Sequence, residues 1–299
     1  MFHPKVTVLM SVFNGSVHLG PAVESILKQT FGDFEFLILD DGSTEPVVEQ
    51  ILNYKDDRVR IIRQENMGLT KSLNRGLSLA ECDYVARMDA DDISLPDRLQ
   101  KQFHIISRTH NIDLIGTFFE IMDESKNIIE RKYLITEPIY RLWRLQFHNN
   151  YGHGTMMFRK ASVIAAGMYD SRLRFAQDYD LWSRISRKDN THIIPEFLYQ
   201  YRVDGKGPQA SVKNYNDQLQ SAIWISDRNL RASNPSLTDA EIVELRSLYW
   251  EFQLSNIAET ARSLALKTLE TFAGKYRLDS KEKTDLLERI LEDIGTIES

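Results

Sequence analysis

Four apolar runs separated by helix-period segments fill the first hundred residues, and this alternation restricts the chain to a mostly parallel sheet covered by helices. Val6-Thr7-Val8-Leu9-Met10, Phe34-Glu35-Phe36-Leu37-Ile38-Leu39, Val59-Arg60-Ile61-Ile62 and Asp83-Tyr84-Val85-Ala86 read as strands. Val23, Ile26 and Leu27 form one helical stripe, and Leu73, Leu77 and Ala80 another on a helix predicted over residues 70–80. Such sheets bind ligands beyond the carboxyl ends of their strands. Phe13-Asn14-Gly15, Asp40-Asp41-Gly42-Ser43 and Asp89-Ala90-Asp91-Asp92 are therefore expected to open onto one crevice.

The last of these clusters sets three carboxylates within four residues, and like charges held that close repel unless a cation sits among them. Mg²⁺ or Mn²⁺ would suit, since such ions take one or two carboxylates plus the oxygens of a substrate diphosphate. Helix capping is the competing explanation. Ser94 and Asp97, with Pro96 between them, already form a predicted capping box, which leaves Asp89 and Asp91 without that task. A calcium loop is excluded, because Ser94 stands where such a loop needs Gly and Gln100 where it needs Glu.

Cys82 is the single cysteine, so a disulfide framework and a multi-cysteine zinc site are both excluded, and the expected compartment is the cytoplasm. No apolar run approaches the roughly 20 residues of a membrane span, and with the N-terminus leading straight into a strand pattern no signal peptide is expected. The net charge of -6 argues against nucleic-acid binding. Residues 131–188 nevertheless carry eleven Lys and Arg against four acids, either as a solvated face or as a surface for an anionic acceptor or membrane headgroups.

Beyond residue 112 strands are predicted at 114–119, 155–158 and 197–201, with helices at 137–147 and 178–187. Asp204-Gly205-Lys206-Gly207-Pro208 marks a boundary before a helical region. Ile242, Leu245, Leu248, Tyr249 and Phe252 make one apolar stripe there, and Leu286, Leu287, Ile290, Leu291 and Ile294 a second, for core contacts or a homodimer interface. No G-x-G-x-x-G follows the first strand, and no P-loop or G-x-S-x-G elbow occurs, so dehydrogenase, P-loop and esterase chemistry lack their motifs.

The chain resembles family 2 glycosyltransferases of the GT-A fold. The matching elements, in order, are Val8-Leu9-Met10-Ser11-Val12-Phe13-Asn14, Glu24-Ser25-Ile26-Leu27-Lys28-Gln29-Thr30, Asp40-Asp41-Gly42-Ser43-Thr44, Asn66-Met67-Gly68-Leu69, Asn74, Asp89-Ala90-Asp91-Asp92 and Gln177-Asp178-Tyr179-Asp180-Leu181-Trp182. The resemblance implies an α/β GT-A domain over residues 1–204, Rossmann-like, with a mostly parallel central sheet. A donor half at 1–100 and an acceptor half at 101–204 precede a C-terminal helical extension at 205–299. It places Ser11 and Phe13 at the donor nucleotide, Asp41 on its base, Asp89 at the ribose or donor sugar, and Asp91 on the metal with Asp89 beside it. Asp92 is left as support. Asp178 would be the base that deprotonates the acceptor hydroxyl in an inverting displacement.

Each assignment has a plainer competitor. Phe13 equally suits a core aromatic, Asp41 a turn with Gly42 and Ser43, and Asp178 a helix N-cap. Lys71 is placed to reach a phosphate or simply to lie exposed on its helix. Tyr179 and Trp182 suit an acceptor cleft or the core. His153, in the polar turn Asn149-Asn150-Tyr151-Gly152-His153-Gly154-Thr155, is a candidate for the diphosphate, the acceptor or the metal shell. Together these imply a metal-dependent inverting glycosyltransferase. Its donor is expected to be a UDP-sugar, and its acceptor a saccharide or lipid-linked sugar of a surface polysaccharide or glycolipid, met at the inner face of a membrane. A sugar-nucleotide pyrophosphorylase would need a glycine-rich loop with Arg after the first strand, which Phe13-Asn14-Gly15-Ser16 is not. A non-catalytic nucleotide-sugar-binding scaffold would keep the crevice without a base.

Overall fold

A computed structural model describes residues 4–203, 212–250 and 259–295. The parallel strands β1 (Val6–Val12), β2 (Phe34–Asp40), β3 (Val59–Arg63) and β4 (Tyr84–Met88) lie in the order β3-β2-β1-β4. The sheet continues through β8 (Met157–Arg159), antiparallel to β4, and β6 (Leu114–Met122) to β9 (Thr191–Arg202) and the short β5 (Ile93–Ser94). A further strand, β7 (Ile128–Lys132), pairs with β6. The expected boundary at residues 204–208 and Phe252 lie outside the described residues, as does the side chain of Ile294.

The helices α1 (Ser16–Leu27), α2 (Val47–Leu52) and α4 (Arg98–Arg108) cover one face of the sheet, where Val8, Met10, Phe36 and Ile38 meet Ile26, Ile51 and Leu99. On the other face lie α3 (Leu69–Leu79), α6 (Lys160–Ala165) and α7 (Gln177–Ile185). A Cβ at Gly76 of α3 would sit 2.3 Å from Leu9 Cδ1 and 3.2 Å from Leu39 Cδ2, both in that closed core. Overpacking of this kind costs about 1–3 kcal/mol, more than the roughly 1 kcal/mol that alanine gains in a helix. Gly76→Ala is therefore expected to lower the urea midpoint; an unchanged or raised midpoint would show that the helix can move off the sheet.

A third core joins α5 (Pro138–Arg144) to α8 (Val212–Ser233), α9 (Asp239–Trp250), α10 (Glu259–Tyr276) and α11 (Ser280–Gly295). Ile242, Leu245, Leu248, Tyr249, Leu286 and Ile290 are buried here, with Trp143, Phe147 and Phe272. Both C-terminal stripes thus cover α5 of their own chain, and the buried part of neither is left free for a homodimer. Trp143 Nε1 donates to Tyr249 OH at 2.8 Å, and Arg144 reaches Asp293 at 3.3 Å.

Several local expectations change. The capping box does not form: Ser94 lies in β5, α4 starts at Arg98, and Asp97 accepts from Thr30 Oγ1 at 2.9 Å with no cap bond to its own helix. The strand expected at 197–201 begins at Thr191, because a bulge at the exposed Pro195 and Glu196 interrupts its alternation without ending its pairing with β6. Among the described residues no helix is long and apolar enough to cross a membrane.

Candidate active site

Parallel registry carries Val12, Asp40 and Met88 to the same edge of the sheet, so the loops after β1, β2 and β4 are neighbours. Asn14 turns with φ 58°, donates its N–H to Ser43 Oγ at 2.8 Å and accepts from Thr44 N at 2.9 Å. Asp41 is buried, and its carboxylate accepts from Met67 N (2.9 Å), Gly68 N (2.9 Å) and Gln64 Nε2 (2.7 Å). An ionised carboxylate offers about four acceptor positions, so one remains after it has clamped this loop. Gly42, at φ 80°, is needed there because a Cβ would meet Asn66 N at 2.7 Å. Phe13 is 54% exposed at the mouth of the crevice, which removes the core-aromatic alternative. Ser11 lies half-buried in β1, and Lys71 stands exposed on the first turn of α3.

The acidic run divides into three environments. Asp89 pairs with the guanidinium of Arg87, whose side chain is 1% exposed and whose Nε and Nη1 have no hydrogen-bond partner among the described residues. The cation anticipated among the acids is thus in part the chain's own. Asp92 is fully buried and ties the loop to β9, accepting from Tyr199 OH and Arg202 N, both at 2.7 Å. Burial and the neighbouring carboxylates push its pKa up. Asp91 is exposed at the rim; the protein crowding its carboxyl and the charge of Asp89 raise its pKa to about 6. No side chain pairs with it in the ion pairs of the described residues.

Beneath the run, the buried Arg98 donates to Arg87 O at 3.1 Å and to Gly154 O, and its guanidinium lies 5.1 Å from the Tyr199 ring centroid. Burial lowers its pKa to about 10. Tyr199 OH also accepts from Asp89 N at 3.3 Å, so Arg98 and Tyr199 fix the height of the acidic loop.

Among the described residues no group of three or more His, Cys, Asp or Glu is arranged to hold a metal. Asp89 and Asp91 nevertheless fit a cation completed by substrate oxygens, as hard ions bound through one or two carboxylates require. Asp91, with its ionisation disfavoured and no cationic side chain paired to it, is the better half of that donor set. Asp89 would share its charge with Arg87.

Asp178 enters from α7. The N-cap of that helix is Ala176, at φ 55° and with no side-chain cap bond, so Asp178 is not a cap but a first-turn residue. Asn149 Nδ2 donates to Asp178 Oδ2 at 2.7 Å. Burial pushes the Asp178 pKa up, opposed by the Tyr179 N–H, the Asn149 amide and the charge of Arg87. Arg87 thus lies within electrostatic reach of both Asp89 and Asp178, residues that arrive from different elements. His153 Nε2 lies 2.9 Å from Tyr169 OH, and burial with the Arg87 charge holds its pKa well below the usual histidine range.

Tyr179 and Trp182, expected as acceptor-cleft candidates, are 1% and 0% exposed and belong to the core; Tyr179 OH donates to Leu145 O at 3.0 Å. His153 instead lines a cavity of about 210 Å³ beside Asp89, walled by Phe119, Tyr199 and Tyr201. Part of the basic excess of residues 131–188 is engaged within the chain. Arg141 is fully buried and donates to Ile135 O, Thr136 O and Thr191 O at 2.7–2.9 Å, while Arg144, Arg159, Arg172, Arg184 and Lys188 pair with acids. Arg87, Arg98, Asn149 and Tyr199 went unassigned in the sequence. Arg87 did leave a signal, a charged residue inside an apolar strand.

The family model described as "Glycosyl transferase family 2" matches residues 7–163. An uncharacterized glycosyltransferase of Methanocaldococcus jannaschii is 34% identical over 216 residues, covering 69% of this chain and 73% of that protein. The O-antigen biosynthesis glycosyltransferase WbnJ of Escherichia coli is 32% identical over 220 residues, covering 70% and 84%. Staphylococcus aureus TarS 1-349 in complex with UDP superposes with a TM-score of 0.63 at 16% identity, covering 98% of this chain and 90% of that one. The mannosyltransferase PcManGT from Pyrobaculum calidifontis, in complex with GDP-Man and Mn²⁺, gives 0.55 at 14%, covering 99% and 88%. These two structural likenesses show a shared GT-A-like fold.

Proposed function

The chain belongs to glycosyl transferase family 2, and on that premise we propose that it moves a sugar from a nucleoside-diphosphate donor to a saccharide hydroxyl by a single inverting displacement. The observation that carries this is Arg87, a buried cation paired with Asp89 and within electrostatic reach of Asp178. It supports placing the donor-side acid and the acceptor-side acid in one crevice. The acceptor hydroxyl attacks the anomeric carbon, its proton passes to Asp178 Oδ, and the carbon–oxygen bond to the diphosphate breaks with its electron pair leaving on the nucleotide. Asn149 orients the Asp178 carboxylate for that transfer.

On the donor side Phe13 offers its exposed ring to the base, Asp41 offers its remaining acceptor position, Ser11 lines the floor, and Lys71 meets the phosphates. Asp91, with Asp89, would hold Mg²⁺ or Mn²⁺, which when bound supplies Lewis-acid stabilisation of the departing diphosphate. Residues 1–100 handle the donor and 101–204 the acceptor, with the helices beyond as a brace for α5. A UDP-sugar is the donor we favour, since a UDP complex is known for TarS, and the naming of WbnJ supports a surface-polysaccharide acceptor made in the cytoplasm.

A thermal-shift screen of UDP, GDP and dTDP sugars, with and without Mn²⁺, tests donor and metal together. The largest rise is expected for a UDP-sugar with Mn²⁺. A rise that ignores Mn²⁺ would remove the metal from Asp91, and a larger rise with a GDP-sugar would change the donor.

A further inference from the structure

Beside Asp89, and lined otherwise by residues between 119 and 201, lies the cavity of about 210 Å³. Drug-sized ligands occupy roughly 300–1,000 Å³, so this space suits something near a single sugar ring. Its walls are Phe119, Tyr199 and Tyr201, and its polar groups include Asp89, His153 and the backbone of residues 152–155. Tyr201 is 45% exposed and stands at the opening, whereas Tyr199 is buried.

The walls are built to hold their shape. A Cβ at Gly154 would sit 2.1 Å from Tyr199 OH, and one at Gly152 would sit 3.0 Å from Phe119 Cε1, so both rings rest directly on bare backbone. Tyr199 OH is occupied by Asp92 and by Asp89 N, and His153 Nε2 by Tyr169. What remains for a ligand is mainly aromatic surface, with one carboxylate at the edge. A pyranose matches that division, because its C–H face packs on aromatic rings while hydroxyls at its rim seek acceptors.

We propose that this cavity is the seat of the acceptor's terminal pyranose, stacked on Tyr201 and Phe119. The assignment to the acceptor rests on the function proposed above, and on six of the seven other lining positions lying between residues 152 and 201. The donor nucleotide's stacking candidate, Phe13, lies on the opposite half of the chain. Tyr201 is therefore a specificity-determining residue that acts on the acceptor and not on the donor.

Saturation-transfer NMR tests this with the methyl α- and β-pyranosides of glucose, galactose, mannose and N-acetylglucosamine as probes. Aromatic protons of the protein should transfer magnetisation to at least one probe. That signal should be lost in Tyr201→Ala and Tyr201→Leu, kept in Tyr201→Phe, and persist when the nucleotide sugar giving the largest thermal shift is added with Mn²⁺. No transfer to any probe, or transfer that survives both Tyr201→Ala and Tyr201→Leu, overturns the site. Displacement by the nucleotide sugar gives the cavity to the donor's hexose and overturns the acceptor assignment. Pyranoside binding with no nucleotide sugar bound at all would sink the transferase mechanism while leaving the sugar seat in place.

Discussion

Asp178→Asn is expected to slow transfer by about 10²–10⁴-fold, the usual contribution of a positioned general base, while nucleoside-diphosphate affinity stays at the wild-type value. The substitution keeps the shape of the side chain and an oxygen to accept from Asn149 Nδ2, so the start of α7 is not disturbed. It removes only the group that takes the proton. Burial raises the Asp178 pKa, and the base must be ionised. The acid limb of the wild-type profile therefore lies above the ordinary carboxylate range, and rate is lost as pH falls through that raised value. Steady-state rates paired with calorimetric titration of the nucleotide check both halves. Wild-type turnover in the variant would leave Asp178 a structural residue and require another base.

Asp91→Asn should be nearly as damaging to turnover and should act by a different route, abolishing the response to Mn²⁺ expected of the wild type in thermal shift. Its effect on the metal-free fold has the opposite sign. An acid whose folded pKa lies at about 6 favours the protonated folded state, so its ionisation weakens folding as pH rises past the unfolded value near 3.8 and up through 6. The amide has no such charge. In metal-free buffer at neutral pH the variant is expected to melt above the wild type, and below the unfolded carboxyl pKa the difference should vanish. A variant that melts lower at neutral pH would contradict the cost assigned to ionising Asp91, and one that still responds to Mn²⁺ would place the cation elsewhere.

The sheet, the crevice and the grouping of the acidic loops were legible because strand period, helix period and the carboxyl-end rule act locally or depend on order alone. The partners of those acids were not. Crowding of Asp89, Asp91 and Asp92 points to a cation, and the chain supplies one of its own in Arg87, whose inward direction follows from its register in β4. Arg141 misleads in the same way: on a helix it reads as surface charge, and its burial depends on carbonyls of residues 135, 136 and 191 that converge only in the fold. An amphipathic stripe likewise names no partner. Those of α9 and α11 pack in one core with α5, where hydrogen bonds from Trp143 to Tyr249 and from Tyr140 to Asp293 join residues more than a hundred positions apart. Tyr179 and Trp182 show the limit for aromatics, since α7 turns both into the core while Phe119 and Tyr201, from strands with no motif, wall the cavity.

The single displacement at the heart of this account can be tested without knowing the acceptor. Water can take its place, and the first-formed anomer of the released sugar, caught by proton NMR before it mutarotates, reports the stereochemistry. With the donor fixed by the thermal-shift screen, the sugar should appear with inverted configuration, and Asp178→Asn should suppress its release. Release with retained configuration, or release undiminished in Asp178→Asn, would contradict a one-step transfer in which Asp178 is the base.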